Sequence, residues 1–164
     1  MNNLSKTQFF DLAKRNEIVV DANIIDNTVA ITAEDATFIF RIVVAGILSG
    51  IVGWLRLRRG SPAGYRTHAM IAVAAAAYTS IGVDKFPTET GRFVQGVITG
   101  IGFIGAGVIW QTTEQIKGLT TAAGMWVVAA IGVMVGLGEY FMGASLTVIV
   151  MVIQSLPDSK PRLR

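Results

Sequence analysis

The sequence predicts an all-α membrane protein, a polytopic bundle of about five transmembrane helices. Hydrophobic residues make up 52% of the 164 residues and charged residues only 15%, whereas about a quarter of a soluble domain is charged. Several long stretches of the chain contain no charge at all. Glycines crowd into one of these stretches, as small residues do where membrane helices approach one another closely.

The first 36 residues predict an external tail that contains a short amphipathic helix. Ser5 and Gln8 fit a capping box, and Leu4 and Phe9 are spaced as a hydrophobic staple. We therefore expect a helix from Lys6 to Arg15 that lies on the membrane surface or on the bundle. The segment has no basic start followed by an apolar core, so it does not predict a cleavable signal.

Five apolar segments are predicted to cross the membrane, because lipid offers no partner to backbone groups outside a helix. The second is mildly apolar and shorter than the roughly 20 residues that a bilayer requires, so we expect protein rather than lipid around it. Only Gly136 to Glu139 separate the last two, which predicts a tight hairpin. The five segments cover about residues 38–55, 68–83, 93–110, 119–137 and 140–156.

The positions of the cations predict the orientation of the bundle. The loop after the first segment carries four arginines, and residues 157–164 carry three basic side chains. The positive-inside rule assigns both to the cytoplasm, which five spans allow. The N-terminus, with three basic and six acidic residues in 1–36, is then outside. The expected organisation is an external tail at 1–36, a transmembrane domain at 37–156 and a basic cytoplasmic tail at 157–164.

The glycine-rich third segment also matches the spacing of the dinucleotide-binding fingerprint. Gly100, Gly102 and Gly105 stand in that register, and Gly107 follows. The fingerprint binds a pyrophosphate only where a strand turns into a helix, with an acidic residue about twenty positions later. Nothing before it resembles a soluble strand, and the acid is missing. Close packing between helices is therefore the favoured role of these glycines.

Catalytic and metal-binding chemistry is sparse in this sequence. Cysteine is absent, and the single histidine cannot supply the three or four ligands that zinc needs. We find no nucleophile with a base and no credible phosphate loop, so we expect no enzyme, no cofactor and no nucleic-acid partner. Spans two to five have no charged residue in their interiors, and Arg41 near the outer end of the first can snorkel. Ion-coupled transport usually depends on such intramembrane charges.

The basic loop ends in a motif at residues 59–68 that is broken by two glycines and a proline. Its arginines favour a topological role, since cations retain a loop in the cytoplasm and bind anionic head groups at about 1 kcal/mol each. Arg66, Thr67 and His68 stand where the second span begins. For Arg66 and His68, contact with a partner or ligand and a purely topological role remain equally open.

Two further polar groups at helix ends are candidate functional or partner-contact sites. Glu89 and Arg92 are three residues apart, which suits a surface ion pair, or a gate or anchor for the glycine-rich helix. Thr120 and Thr121 stand at the start of the fourth span. They would cap that helix, form hydrogen bonds within the bundle, or line a polar path.

Three motifs together resemble the MgtC/SapB family of bacterial inner-membrane proteins. They are Arg-Gly-Ser-Pro-Ala-Gly-Tyr-Arg-Thr-His at 59–68, Gly-Ile-Gly-Phe-Ile-Gly-Ala-Gly at 100–107 and Lys-Gly-Leu-Thr-Thr-Ala-Ala-Gly-Met-Trp at 117–126. Their order and spacing agree with the family over roughly residues 38–156. The chain has Leu55 where the family often has a glutamate, and Glu89 where an aspartate commonly precedes the family arginine.

The resemblance implies a multi-pass domain in the bacterial inner membrane, linked in some members to growth in low magnesium and survival inside host cells. In those virulence members the proposed role is to bind and restrain the membrane ATP synthase. The sequence ends just past the fifth span. The resemblance therefore implies a short form that lacks the soluble C-terminal domain of longer members.

The leading functional expectation is a non-enzymatic membrane protein that acts through helix contacts, in a homo-oligomer and on another membrane complex such as ATP synthase. It rests on three glycine pairs with a spacing of four, although internal packing explains that spacing equally well. The alternative is a channel or carrier for a small cation such as magnesium, with Thr99, Thr120 and Thr121 supplying oxygens. The glycine pairs are Gly46/Gly50, Gly96/Gly100 and Gly132/Gly136.

Overall fold

The computed structural model describes residues 32–113 and 115–156. The amphipathic helix expected at 6–15 and the basic tail expected at 157–164 lie outside these residues. Within them the chain forms five α-helices, which confirms the all-α class and the number of helices. The helices are α1 (Ala33–Arg58), α2 (Tyr65–Lys85), α3 (Thr90–Val108), α4 (Leu119–Gly136) and α5 (Tyr140–Ser155).

The helix ends differ from the expected ones for local reasons. The first helix begins at Ala33 rather than near residue 38, and its first turn carries Glu34 and Asp35, which the positive end of the helix dipole stabilises. A short 3₁₀ turn at Pro87–Glu89 leads into α3. By length and composition, α1, the segment Pro87–Val108 and α4 can each cross a membrane, while α5 is apolar but has 16 residues.

The third helix ends at Val108, two residues before the predicted end, because the chain turns into a small antiparallel ladder. Its strands are β1 (Trp110–Gln111) and β2 (Ile116–Lys117), with Trp110 opposite Lys117. Gly118 then starts α4 with a φ of +88°, and a side chain there would collide with the Val108 carbonyl. This left-handed position, which glycine adopts without strain, connects the ladder to the next helix.

The fourth helix forms the centre of the described bundle. Its buried residues lie all around the helix, as is typical of a helix enclosed by protein. Val128, Ile131 and Val135 are fully buried, in one cluster with residues of α1, α2 and α5. Those residues are Ala45, Val52, Ala72, Ala76 and Val150.

The contact between α2 and α4 is a close approach of two backbones. A side chain on Gly132 would collide with the Ala72 carbonyl, and one on Gly136 would lie 2.8 Å from the Ala76 carbonyl oxygen. Ser80 donates a hydrogen bond to the Gly136 carbonyl at 3.3 Å. The Gly132/Gly136 pair therefore serves internal packing, the use that small residues at this spacing have in membrane helices.

The other two glycine pairs divide between the inside and the outside of the bundle. A side chain on Gly46 would lie 3.1 Å from Val73 of α2, and one on Gly50 would just reach Ala69. This pair also packs internally. In contrast, a side chain placed on Gly96 or Gly100 would meet no atom within 4 Å. The Gly96/Gly100 pair therefore has no packing role among the described residues.

The second helix is sheltered along one face only. It buries His68, Ala72, Ala75, Ala76, Thr79, Ser80 and Gly82, while Met70 and Tyr78 are exposed. The expectation that protein surrounds this helix thus holds for the residues that face α1, α4 and Phe93 of α3.

Arg41 forms an ion pair instead of snorkelling toward water as the sequence suggested. Its Nη1 lies 3.2 Å from Asp84 Oδ1 and 3.4 Å from Asp84 Oδ2, and the two side chains are only 13% and 25% exposed. The reason is that the end of α2 brings a carboxylate within reach of α1. The pair therefore holds these two helices together near the end of α2.

We expect Gly132→Ala to destabilise the fold and Gly96→Ala to leave it unchanged or slightly more stable. The added methyl at 132 overpacks the contact with α2, which typically costs about 1–3 kcal/mol. At 96 the methyl meets open space, and alanine has the better helix propensity by up to about 1 kcal/mol. Denaturant titration in mixed detergent micelles measures both, and equal losses would contradict the assigned packing.

Candidate functional site

A polar junction forms where the end of α1, the loop 59–64 and the starts of α2 and α4 meet. Gly53 of α1 permits this meeting, because a side chain there would lie 2.6 Å from Tyr65 Cα and 2.8 Å from the Gly64 carbonyl oxygen. The small residue brings the first helix against the start of the second. We call this group of residues, Arg56, Ser61, Gly64, His68, Thr121 and Gly124, the junction.

Arg56 connects three elements of the junction through its guanidinium group. Its Nη2 donates to Ser61 Oγ in the loop and to Thr121 Oγ1 on α4, both at 3.1 Å. The two hydroxyl oxygens are 3.5 Å apart. Because Thr121 is buried, this contact fixes the end of α1 to the start of α4. A charged donor makes such bonds stronger than those between neutral groups.

His68 is fully buried at the same junction. Its Nδ1 lies 2.9 Å from the Gly64 carbonyl oxygen, and since a carbonyl only accepts, Nδ1 carries the hydrogen. Nε2 points toward α4, 3.3 Å from the position that a side-chain carbon on Gly124 would occupy. Among the described residues Nε2 has no hydrogen-bond partner.

The structure brings together only part of the predicted basic and threonine groups. His68 and Thr121 meet at the junction, whereas Arg66 and Thr120 are exposed and Thr67 is half-buried. Capping, a hydrogen bond within the bundle and lining a polar path were the roles open to the threonines, and Thr121 forms the hydrogen bond within the bundle. Gly118 is the N-terminal cap of α4, without a side-chain cap bond.

Arg56 and Ser61 are junction residues that sequence reasoning missed. Sequence alone assigns the four loop arginines, Arg56 among them, to topology, and it gives Ser61 no role beyond its place in the motif. The one sequence signal for them is the position of Ser61 inside the motif at 59–68. Nothing in the local sequence indicates that Thr121 lies opposite Arg56, because the two are 65 residues apart.

Glu89 and Arg92 form the expected ion pair, with Arg92 Nε 2.9 Å from Glu89 Oε2. Both side chains are substantially exposed, so the pair contributes under about 1 kcal/mol. Arg92 also stands at one end of a groove between α2 and α3. Arg92 therefore contributes a charged group to the end of this groove and little to the stability of the fold.

The groove is apolar and has a volume of about 520 Å³. Two bare glycines of α3, Gly96 and Gly100, form part of its wall, and Ala74 and Tyr78 of α2 form another part. We call this surface the α2–α3 groove. It continues past Ile101 to Ile104, so it follows α3 for several turns.

The remaining predicted glycines of α3 have different surroundings. Gly105 is buried, and a side-chain carbon placed on it would lie 3.7 Å from Ala122 and close to Trp126. Gly102 and Gly107 face open space. The glycine cluster is therefore not one site: Gly105 packs against α4, Gly100 belongs to the α2–α3 groove, and the other two are bare.

Two of the three threonines proposed to line a cation path form hydrogen bonds at separate places, and Thr120 is exposed. Thr99 donates to the Gln95 carbonyl on its own helix at 2.9 Å, and Thr121 accepts from Arg56. Residues 32–113 and 115–156 contain no group of three or more His, Asp or Glu side chains that could hold a metal ion.

Comparison with known proteins finds relatives over most of this sequence. The sequence model described as the MgtC family matches residues 42–160. The chain is 38% identical over 127 residues to the "Putative magnesium transporter YhiD" of Escherichia coli K12, covering 72% of this chain and 59% of that protein. It is 36% identical over 114 residues to "Protein MgtC" of Salmonella typhimurium LT2, covering 70% and 49%.

A cyanobacterial protein is also similar, the "Protein SrpB" of Synechococcus elongatus, at 34% identity over 119 residues, which cover 63% of this chain and 65% of that protein. The chain thus spans about half to two thirds of the length of these relatives. No solved structure gives a significant match.

We expect Thr121→Val to destabilise the fold by about 1–3 kcal/mol, because it removes a buried acceptor of the Arg56 guanidinium at nearly constant volume. Thr120→Val is the matched control, since that side chain is exposed one residue away and its loss changes stability by less than about 0.5 kcal/mol. Denaturant titration in mixed micelles compares the two. Equal effects would show that the Arg56 contact has no structural role.

Proposed function

This chain belongs to the MgtC family, and from that membership we propose that it is a non-enzymatic protein of the bacterial inner membrane that acts by contacting another membrane complex. The contact surface is the α2–α3 groove. The partner that the family resemblance suggests is a complex such as ATP synthase, and the physiological setting is adaptation to low magnesium. The printed name of the YhiD relative supports the magnesium link.

The observation that carries the proposal is the exposed face of α3. Of the three long apolar helices, the segment that contains α3 is the least buried, and within α3 only Ile101 and Gly105 are buried. Yet this helix keeps glycines at 96 and 100, where no atom of the described chain lies close. Each glycine costs a helix up to about 1 kcal/mol relative to alanine. Within the described residues that cost has no compensation.

The same spacing has a clear use elsewhere in this chain. At Gly132 and Gly136 the absence of side chains lets α2 reach the surface of α4, down to contact with carbonyl groups. Gly96 and Gly100 would accept a second helix in the same way. The driving force in lipid is packing and close backbone contact rather than a hydrophobic effect, so bare glycines favour a helix over lipid as neighbour.

The groove chemistry fits a membrane-embedded partner. Its wall is apolar, and Arg92 with its partner Glu89 stands at one end, where it would meet polar groups at a membrane surface. A transmembrane helix with small residues on one face matches this surface. A second copy of this chain, which would form a homo-oligomer, satisfies the same geometry and is the other contact expected from the sequence.

A channel or carrier for a small cation such as magnesium is the second candidate. The name of the YhiD relative favours it. The geometry opposes it, because the oxygens of Thr99 and Thr121 are engaged separately and the α2–α3 groove is apolar. A hydrated magnesium ion prefers carboxylate and water ligands, which this groove does not supply along its length.

We expect Gly100→Leu to abolish capture of the membrane partner, because the new side chain fills the surface that a helix would approach. An affinity-tagged chain is expressed in its native membrane and purified in mild detergent, and ATP synthase subunits and an untagged second copy are detected by immunoblot. Gly102→Leu is the matched control, since it adds the same side chain at another open position of the same helix.

Capture of ATP synthase that Gly100→Leu removes and Gly102→Leu keeps would support the proposal. If only the second copy is captured in a Gly100-dependent way, the contact is homo-oligomeric and the partner assignment is wrong. If Gly100→Leu retains all captured proteins, the groove is not the contact surface.

We expect purified protein in liposomes to pass no more magnesium or potassium than empty liposomes, because Thr99 and Thr121 form hydrogen bonds within the protein and the α2–α3 groove is apolar. Flux is followed with an ion-sensitive dye inside the vesicles. Arg92→Ala serves as a variant at the end of the groove. Flux above background that this variant abolishes would establish the transport candidate and overturn the contact proposal.

A further inference from the structure

We propose that the junction contains a binding site for a single proton at Nε2 of His68, and that protonation there weakens the contact between α2 and α4. The proposal is independent of the partner contact, since it concerns the buried junction rather than the α2–α3 groove. Histidine is the side chain whose charge ordinarily changes between pH 5 and 8. His68 is the only histidine of the chain, so any such response has one source.

The structure defines the neutral form of this imidazole. Nδ1 donates to the Gly64 carbonyl at 2.9 Å, so in the neutral ring Nε2 carries a lone pair and no hydrogen. The ring is fully buried, and Nε2 has no partner among the described residues. A neutral ring in this enclosed position costs less than a charged imidazolium would, because a buried charge needs a partner that the surrounding helices do not offer.

Because residue 124 is a glycine, the His68 ring lies close to the backbone of α4. Only a hydrogen stands at the position where a side-chain carbon would be 3.3 Å from Nε2. A proton bound at Nε2 would therefore point at the backbone of α4 without an acceptor. The resulting imidazolium would also be a buried charge, which is costly unless it is paired and hydrogen-bonded.

The charged neighbours do not reverse this effect. From α1 the facing charge is Arg56, which reaches α4 at Thr121, one turn from Gly124, and repels a second cation. Tyr65 and Arg66, which start α2 beside His68, are exposed, so neither places an acceptor in the buried space around the ring. The described start of α4 presents no ionisable group to the ring, and α3 has none from Phe93 to Val108.

The sign of the pH dependence follows from this arrangement. The unfolded chain takes up a proton at its histidine as the pH falls below about 6.5, whereas the folded junction resists it. Stability that is complete at pH 8 is therefore lost as the pH falls. A junction that opens to accommodate the proton would separate His68 from Gly124 and loosen the start of α2 against α4.

The experiment measures the melting temperature of the purified full chain in detergent between pH 8 and pH 5.5. We expect wild type to lose about 3–5 °C over this range, because pH 5.5 lies about one unit below the ordinary histidine pKa and a tenfold preference of the proton for the unfolded chain produces a shift of that size in a chain of this length. His68→Gln should lose much less, because it cannot titrate. Arg66→Gln removes an exposed charge two residues away and should behave as wild type.

A second measurement on wild type keeps the proposal testable if the variant does not fold. Nitrogen-15 NMR of the single histidine reports its tautomer directly. At pH 8 we expect the hydrogen on Nδ1 and a bare Nε2, with Nε2 accepting the proton on acidification. A hydrogen on Nε2 at pH 8, or equal pH-dependent losses in wild type and His68→Gln, would overturn the proposal.

Discussion

The arrangement of the bundle depends on one contact, the approach of the α2 backbone to the glycine face of α4. Gly132 and Gly136 bring carbonyl groups of α2 against the central helix. This proximity gives shelter to a helix that is only mildly apolar, and it lets the hydroxyl of Ser80 reach a backbone carbonyl. In lipid, where apolar burial offers little gain, such close packing supplies the cohesion between helices.

Polar contacts act at the two ends of α2, and apolar packing acts between them. At one end Arg41 of α1 pairs with Asp84, and at the other His68 and Arg56 occupy the junction with the start of α4. Charges are least costly near the ends of membrane helices, because water and head groups are close. Between these ends the small residues of α2 pack closely against α4, and Ser80 adds a hydrogen bond to the Gly136 carbonyl.

The sequence was sufficient to predict the five helices, their approximate bounds and the use of glycine for packing, because charge-free length and composition determine these features. It could not distinguish Gly132/Gly136 from Gly96/Gly100, since both pairs have the same spacing and only the rotation of each helix in the bundle separates inside from outside. The same limit applies to Thr120 and Thr121. Arg56 was missed because its partner is distant in sequence and its charge already had a topological explanation.

The short ladder between α3 and α4 connects the two candidate surfaces. Trp110 pairs with Lys117, and Gly118 then leads directly into the helix that carries Thr121 and Gly124. A helix that displaced α3 by docking in its groove would thus strain the start of α4. Thermodynamic linkage makes any such coupling reciprocal. A shift of α3 would then reach the start of α4 through a connection of only ten residues, Ile109 to Gly118.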